Sequence, residues 1–185
     1  MNFRENIIAA ASELGQVAEK INAEDFEKVI DRLVAAKRIF TIGGGREGLV
    51  TRGFCMRLMH LGKQAFWVWA DNTPAIGEGD VLVCPTGSCT GGVLTHVVKS
   101  AKEQGAEIIV VTADNSGPVG RYADFTAFIP ATAYLACGDM VASSQQMGNL
   151  FEQSLMIALD SICAGMQEKI GITRTEMELR HRNVE

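Results

Sequence analysis

The sequence predicts an open α/β fold, doubly wound, with a parallel sheet between helical layers. Three observations predict it. Strand-like and helix-like segments alternate from residue 38 onward. The runs DVLVC (80–84) and EIIVVT (107–112) are nearly continuously apolar, as parallel strands covered on both faces should be. Glycine-rich turns, GGGREG (43–48) and PTGSCTGG (85–92), follow strand-like runs, where open α/β sheets bind ligands.

Residues 3–21 and 24–37 carry the three- and four-residue apolar spacing of amphipathic helices. Ile7, Ala11, Leu14, Val17 and Ile21 form the first stripe; Phe26, Val29, Ile30, Leu33 and Val34 form the second. Asn22 is the expected N-cap of the second helix. RIFTIG (38–43) is a short β-rich run, LVTRGFCMRLMHLG (49–62) is helical, and AFWVW (65–69) and DVLVC are extended. GGVLTHVVKSAKEQG (91–105) is helical and stops at Gly105 as at a C-cap. EIIVVT and FTAFIP (125–130) are strands. The longest helical pattern spans 143–170, with Met147, Leu150, Phe151, Leu155, Leu159, Ile162 and Met166 on one face. At 1.5 Å per residue it would be about 40 Å long, which suits packing across the sheet or into a subunit interface. The remainder is polar and reads as a solvated or frayed end. One domain is expected: a helical segment 1–37, an α/β core 38–170 and a tail 171–185.

The totals narrow the function. With 47% hydrophobic and 21% charged residues among 185, the composition is that of an ordinary globular chain. Its net charge of −5, from 22 acids and 17 bases, argues against a nucleic-acid partner. No signal peptide or membrane-length apolar stretch is visible, so a cytoplasmic protein with no membrane contact is expected. Cysteines at 55, 84, 89, 137 and 163 match neither a zinc site nor a C-x-x-C pair. They read as reduced, mostly buried thiols. Cys89 sits where a helix N-terminus would lower its pKa, but no histidine is near in sequence to activate it.

In the strand order 2-1-3-4-5, strands one and three are neighbours and both glycine-rich turns line one crevice. Thr86, Ser88 and Thr90 supply hydroxyls, the glycines allow close backbone approach, and a helix N-terminus favours an anion. The second turn therefore reads as a phosphate cradle that uses neutral donors; the plain alternative is a turn that only reverses the chain. Neither turn has the dinucleotide or Walker A pattern.

Six blocks in order carry a resemblance: IGGGREGL (42–49), FCMRLMHLG (54–62), TPAIGEGD (73–80), PTGSCTGG, QMGNLFEQ (146–153) and RHRNVE (180–185). The chain resembles the sugar isomerase (SIS) domain proteins, and within them the 6-phospho-3-hexuloisomerases. That resemblance implies a five-stranded parallel sheet between helices, a homotetramer built as a dimer of dimers with sites near subunit interfaces, and no metal or organic cofactor. It implies interconversion of 3-hexulose 6-phosphate and fructose 6-phosphate through an enediolate. Such chemistry asks for a base, an oxyanion donor and a phosphate anchor. On the family's motifs, Gly45, Arg46, Thr86, Gly87, Ser88 and Thr90 fall at the substrate and phosphate positions. Glu152, after apolar Leu150 and Phe151 near the start of the long helix, is the candidate base. His181 is the candidate second acid–base group or sugar contact, reaching a neighbouring subunit's site. His60 reads as a helix-end residue and His96 as structural.

The chain departs from the family pattern within the site. Glu47 stands where G-x-G-R-S-G has serine, adding negative charge to an anion crevice unless it points away or pairs with Arg46. Thr90 and Gly91 replace the glutamate and threonine of S-G-S-G-E-T. Trp69 and Ala70 replace the glycine and glutamate of V-G-E, with Asp71 one position on. The expectation is that phosphate binding survives and the sugar end has changed. The alternatives are a sugar-phosphate sensor without catalysis and a structural or partner-binding domain.

Overall fold

The computed structural model describes residues 2–135 and 138–184; Cys137 lies outside them. Two helices open the chain: α1 (Phe3–Lys20) and α2 (Ala23–Ala35). Asn22 caps α2 as expected, its side chain accepting from the Glu24 backbone N–H. Then follow β1 (Arg38–Thr41), α3 (Gly45–His60), β2 (Ala65–Trp67), β3 (Asp80–Pro85), α4 (Gly92–Glu103), β4 (Glu107–Thr112) and β5 (Phe125–Phe128). The last helices are α5 (Asn149–Ile170) and α6 (Arg174–Leu179).

All five strands are parallel, in the order β2-β1-β3-β4-β5. The predicted doubly wound sheet is therefore the observed one. Alternate residues of each strand face opposite layers. Ile39, Val81, Val83, Ile109 and Val111 pack with Leu33 of α2, Phe54 and Leu58 of α3, and Leu155 and Leu159 of α5. Phe40, Leu82, Ile108 and Val110 pack instead with Leu94 and Val98 of α4. Every residue of β3 is buried, which is why that run lacks polar alternation.

Three sequence expectations need correction. The long helix begins at Asn149, not at 143. Ser143, Ser144 and Gln145 are drawn away by Glu13 of α1. Its carboxylate accepts from both serine hydroxyls and the Ser144 N–H at 2.7 Å each, and from Gln145 Nε2 at 3.0 Å. Met147, expected on the buried helix face, has φ +51° and is exposed. The tail is also not merely frayed, because α6 starts with a capping box between Thr173 and Glu176.

Candidate functional site

The crevice forms where β1 and β3 lie side by side and release their chains at the same edge of the sheet. From β1 the chain passes through Gly43 and Gly44 into α3. This turn is tight: a Cβ on Gly48 would stand 2.6 Å from the Gly43 carbonyl oxygen, closer than real Cβ atoms come. Two of its glycines thus serve helix–turn packing, while Gly45, at φ +50°, starts the helix in a backbone region that glycine favours. Arg46 and Glu47 follow on the first turn of α3.

From β3 the chain passes through 85–92 into α4. Thr112 Oγ1 donates to the Gly87 carbonyl at 3.1 Å, and the N–H groups of Ala113 and Asp114 donate to the same oxygen at 3.2 Å. This anchors the Gly87 carbonyl on β4, and its N–H donates to Glu47 Oε1 at 3.0 Å. Ser88 Oγ and Thr90 Oγ1 are hydrogen-bonded to each other at 2.8 Å at the mouth of the crevice. No side chain caps α4, so the first-turn N–H groups beside these hydroxyls carry the positive end of the helix dipole.

The start of α5 closes the third side. Asn149 Oδ1 accepts from Arg46 Nη1, and Glu152 Oε2 lies 3.1 Å from the same nitrogen. The Glu152 side chain is only 17% exposed. Its Oε2 is buried and near the arginine without an aligned hydrogen bond, so the carboxylate is positioned by charge yet retains acceptor capacity.

The predicted residues are thus partly assembled. Gly45, Arg46, Gly87, Ser88, Thr90 and Glu152 come together on three segments. Thr86 is buried at the base of the loop, with its N–H donating to Val111 O, because the chain just past β3 is still covered by the sheet. Gly87 contributes its backbone to Glu47 rather than leaving it free. His181 is elsewhere in the chain. It stacks on His60 with ring centroids 5.3 Å apart, at the other end of α3, about 20 Å along the helix from Glu47. His60 is buried, and burial, Arg57 and His181 all depress its pKa. These two rings line a cavity of about 510 Å³ with Arg57, Asp160, Arg174 and Glu178. Concavity alone therefore does not mark the crevice; converging donors and charges do.

Several residues take roles the sequence did not reveal. Glu47 neither points away nor pairs with Arg46. Burial raises its carboxyl pKa to about 7, with nearby Glu152 adding to the rise and the Gly87 hydrogen bond opposing it. Asn149, the partner of Arg46, carried no signal beyond its place in QMGNLFEQ. Cys89 is fully buried at φ +54°, with Sγ 3.5 Å from Thr112 Oγ1, and burial pushes its thiol pKa up rather than down. Trp69 is half-exposed and meets Trp67 edge-on at 5.4 Å, outside the Arg46–Glu152 pair. Among the described residues, no group of acids, cysteines and histidines could hold a metal ion, and no helix is long and apolar enough to cross a membrane.

Comparison with known proteins agrees with this geometry. A family model described as SIS domain matches residues 32–147. A Bacillus subtilis (strain 168) protein named 3-hexulose-6-phosphate isomerase is 31% identical over 185 residues, covering all of both chains. A Mycobacterium gastri protein of the same name is 32% identical over 180 residues, covering 97% of this chain and 90% of that one. The crystal structure of a Methanococcus jannaschii protein, described as inferring a 3-hexulose-6-phosphate isomerase function, superposes with a TM-score of 0.85 at 28% identity. That superposition covers 98% of this chain and 99% of the other. The strand order, the paired loops and the full-length likeness converge: the chain belongs to the SIS domain family.

Proposed function

We propose that the protein is a phosphosugar isomerase that interconverts hexulose phosphates of the 3-hexulose 6-phosphate and fructose 6-phosphate type through an enediolate. The carrying observation is the Glu152 carboxylate, buried beside Arg46 at the mouth of the two loops. The names of its full-length relatives support the same substrate class. Glu152 takes a proton from carbon. Ser88, Thr90 and the first N–H groups of α4 hold the phosphate, which fixes the reacting carbons at the base. Arg46 keeps Glu152 in place and adds positive charge near the developing oxyanion.

His181 acts in a neighbouring subunit's site within a homotetramer. Its position at the far end of α3 in its own chain supports this, as do the exposed apolar side chains Phe3, Ile7 and Ile8 on α1 and Met156 and Ile157 on α5. The four described cysteines carry free thiols, which suits a cytoplasmic protein.

Solvent exchange tests the reading. The protein is incubated with fructose 6-phosphate in deuterated water, and the C1 and C3 protons are followed by NMR. Label at C3 with a 3-ketose appearing is the expected result. Label at C1 would mean aldose–ketose chemistry instead. Binding without label at either carbon would make the domain a sensor or assign it another sugar phosphate.

A further inference from the structure

One acid in the crevice has no task in the scheme above. Glu47 projects from the first turn of α3 into the space beside Gly87. A side chain built on Gly87 would meet Ala133 Cβ at 2.8 Å, Glu47 Oε1 at 3.0 Å and Phe151 Cδ1 at 3.4 Å. The Glu47 carboxyl therefore sits against the loop itself, wedged near apolar groups, and does not lie out in solvent. Its neighbour Arg46 turns to Glu152 and Asn149. Of two acids in one crevice, one has a cation beside it and the other has a single backbone amide. The other groups that interact electrostatically with Glu47 are Glu152 from α5 and the Cys84 and Cys89 thiols from β3 and its loop. Burial favours the neutral form of both thiols, so they bring no charge to the pair.

We propose that Glu47 is a second catalytic residue, the proton donor that works opposite Glu152. The proposal rests on the isomerase reading above. Starting from fructose 6-phosphate, Glu152 takes the proton from C3. The C3–H electrons form the C2=C3 bond, and the carbonyl electrons move to O2, which takes the Glu47 proton. The enediol then collapses the other way. Glu47 recovers a proton from the O3 hydroxyl, C3 becomes the carbonyl, and C2 receives the proton held by Glu152. Both carboxyls return to their starting states, and no outside oxidant or reductant is needed. A carboxylate beside a guanidinium and a neighbouring carboxyl held by one amide supply the two unlike environments that such an acid–base pair needs. The upward displacement of the Glu47 carboxyl to about 7 fits a donor at neutral pH.

The rival role is mechanical: Glu47 would only buckle the 85–92 loop through Gly87. Glu47→Gln separates the two, because the amide oxygen still accepts from the Gly87 N–H but the side chain no longer delivers a proton. The expected result is a fall in kcat of roughly 100-fold or more, in the range for losing one general acid. The wild type is expected to show an alkaline limb of the kcat profile near pH 7, and this limb should disappear in the variant. Competitive inhibition by inorganic phosphate should be unchanged, which shows an intact cradle. Glu47→Asp keeps an acid one methylene back and should restore the alkaline limb with partial turnover. A Glu47→Gln protein with wild-type kcat and an unaltered alkaline limb overturns this proposal and leaves the isomerase reading standing. A wild type that exchanges no proton on any hexulose phosphate overturns the isomerase reading, and this proposal with it.

Discussion

Glu13 and Glu47 flank the approach to α5 and are treated in opposite ways. Both carboxyls leave water on folding. Burial would raise the pKa of Glu13, but hydrogen bonds from Ser143, Ser144 and Gln145 outweigh it and hold the group at about 2. Glu47 has one backbone donor and an acidic neighbour, and it rises to about 7. The number of donors separates them: a fully satisfied carboxylate is a fastener, and a poorly satisfied one is a reagent. One molecule thus places a permanent anion and an adjustable one within the span of a short loop and a helix start.

The largest expected effect tests the chemical side of this contrast. Glu152→Gln should slow proton exchange into fructose 6-phosphate by about 10²–10⁴-fold, with the melting temperature little changed. Exchange at the wild-type rate would remove Glu152 as the base. On the structural side, Glu13→Ala leaves four donors without their acceptor and should cost about 2 kcal/mol or more. For a chain of this size that is a fall in Tm of roughly 4–8 °C, read by calorimetry at pH 7. An unchanged Tm would mean that water replaces the carboxylate without loss.

pH sharpens the comparison, because the two acids have opposite signs. Glu13, with a depressed pKa, stabilises the fold above its ordinary value of 4.5, and that contribution fades as pH falls toward about 2. Glu47, with a raised pKa, is neutral in the fold at low pH and becomes a destabilising buried anion as pH rises from 4.5 through about 7. Glu47→Gln should therefore leave stability unchanged at pH 4 and raise it at pH 8 by on the order of 1–3 kcal/mol, seen as a higher Tm at pH 8 only. A lower Tm at pH 8 would contradict the burial that sets the Glu47 pKa. Such a trade of stability for function is common at active sites. The smallest effect belongs to the far end of α3. His181→Ala removes one ring stack, about 0.5–1 kcal/mol within the chain. Any much larger loss of turnover would reflect a role outside its own subunit.

The topology was legible because its signals are local. Continuous apolar runs marked the parallel strands, and the glycines marked their exits. The neighbouring of β1 and β3 then followed from a common strand order. The site was legible only in part, because its decisive contacts join distant positions through backbone atoms. Nothing in the identity of Gly87 says that its N–H will meet Glu47, 40 residues earlier. Nothing near Ser143 says that Glu13, 130 residues earlier, will pull that segment out of the helix. Thr86 shows that residue type does not give burial: it stands one position past β3 and is still covered, its N–H donating to Val111 O. The α6 helix left a readable trace, the Thr173–Glu176 capping pattern, that the polarity of the tail obscured.

The stretch between Pro85 and Gly92 brings hydroxyls and amides but no cation, and the nearby guanidinium of Arg46 is turned toward Glu152. An anion seated there is held by oriented dipoles at short range instead of by an opposite charge. Its hydrogen bonds act at contact distance and are screened less than exposed charges a Debye length apart, while the dipole of α4 remains open to screening by salt. In the proposed site such a loop would discriminate by the shape and acceptor geometry of a phosphate ester more than by its charge.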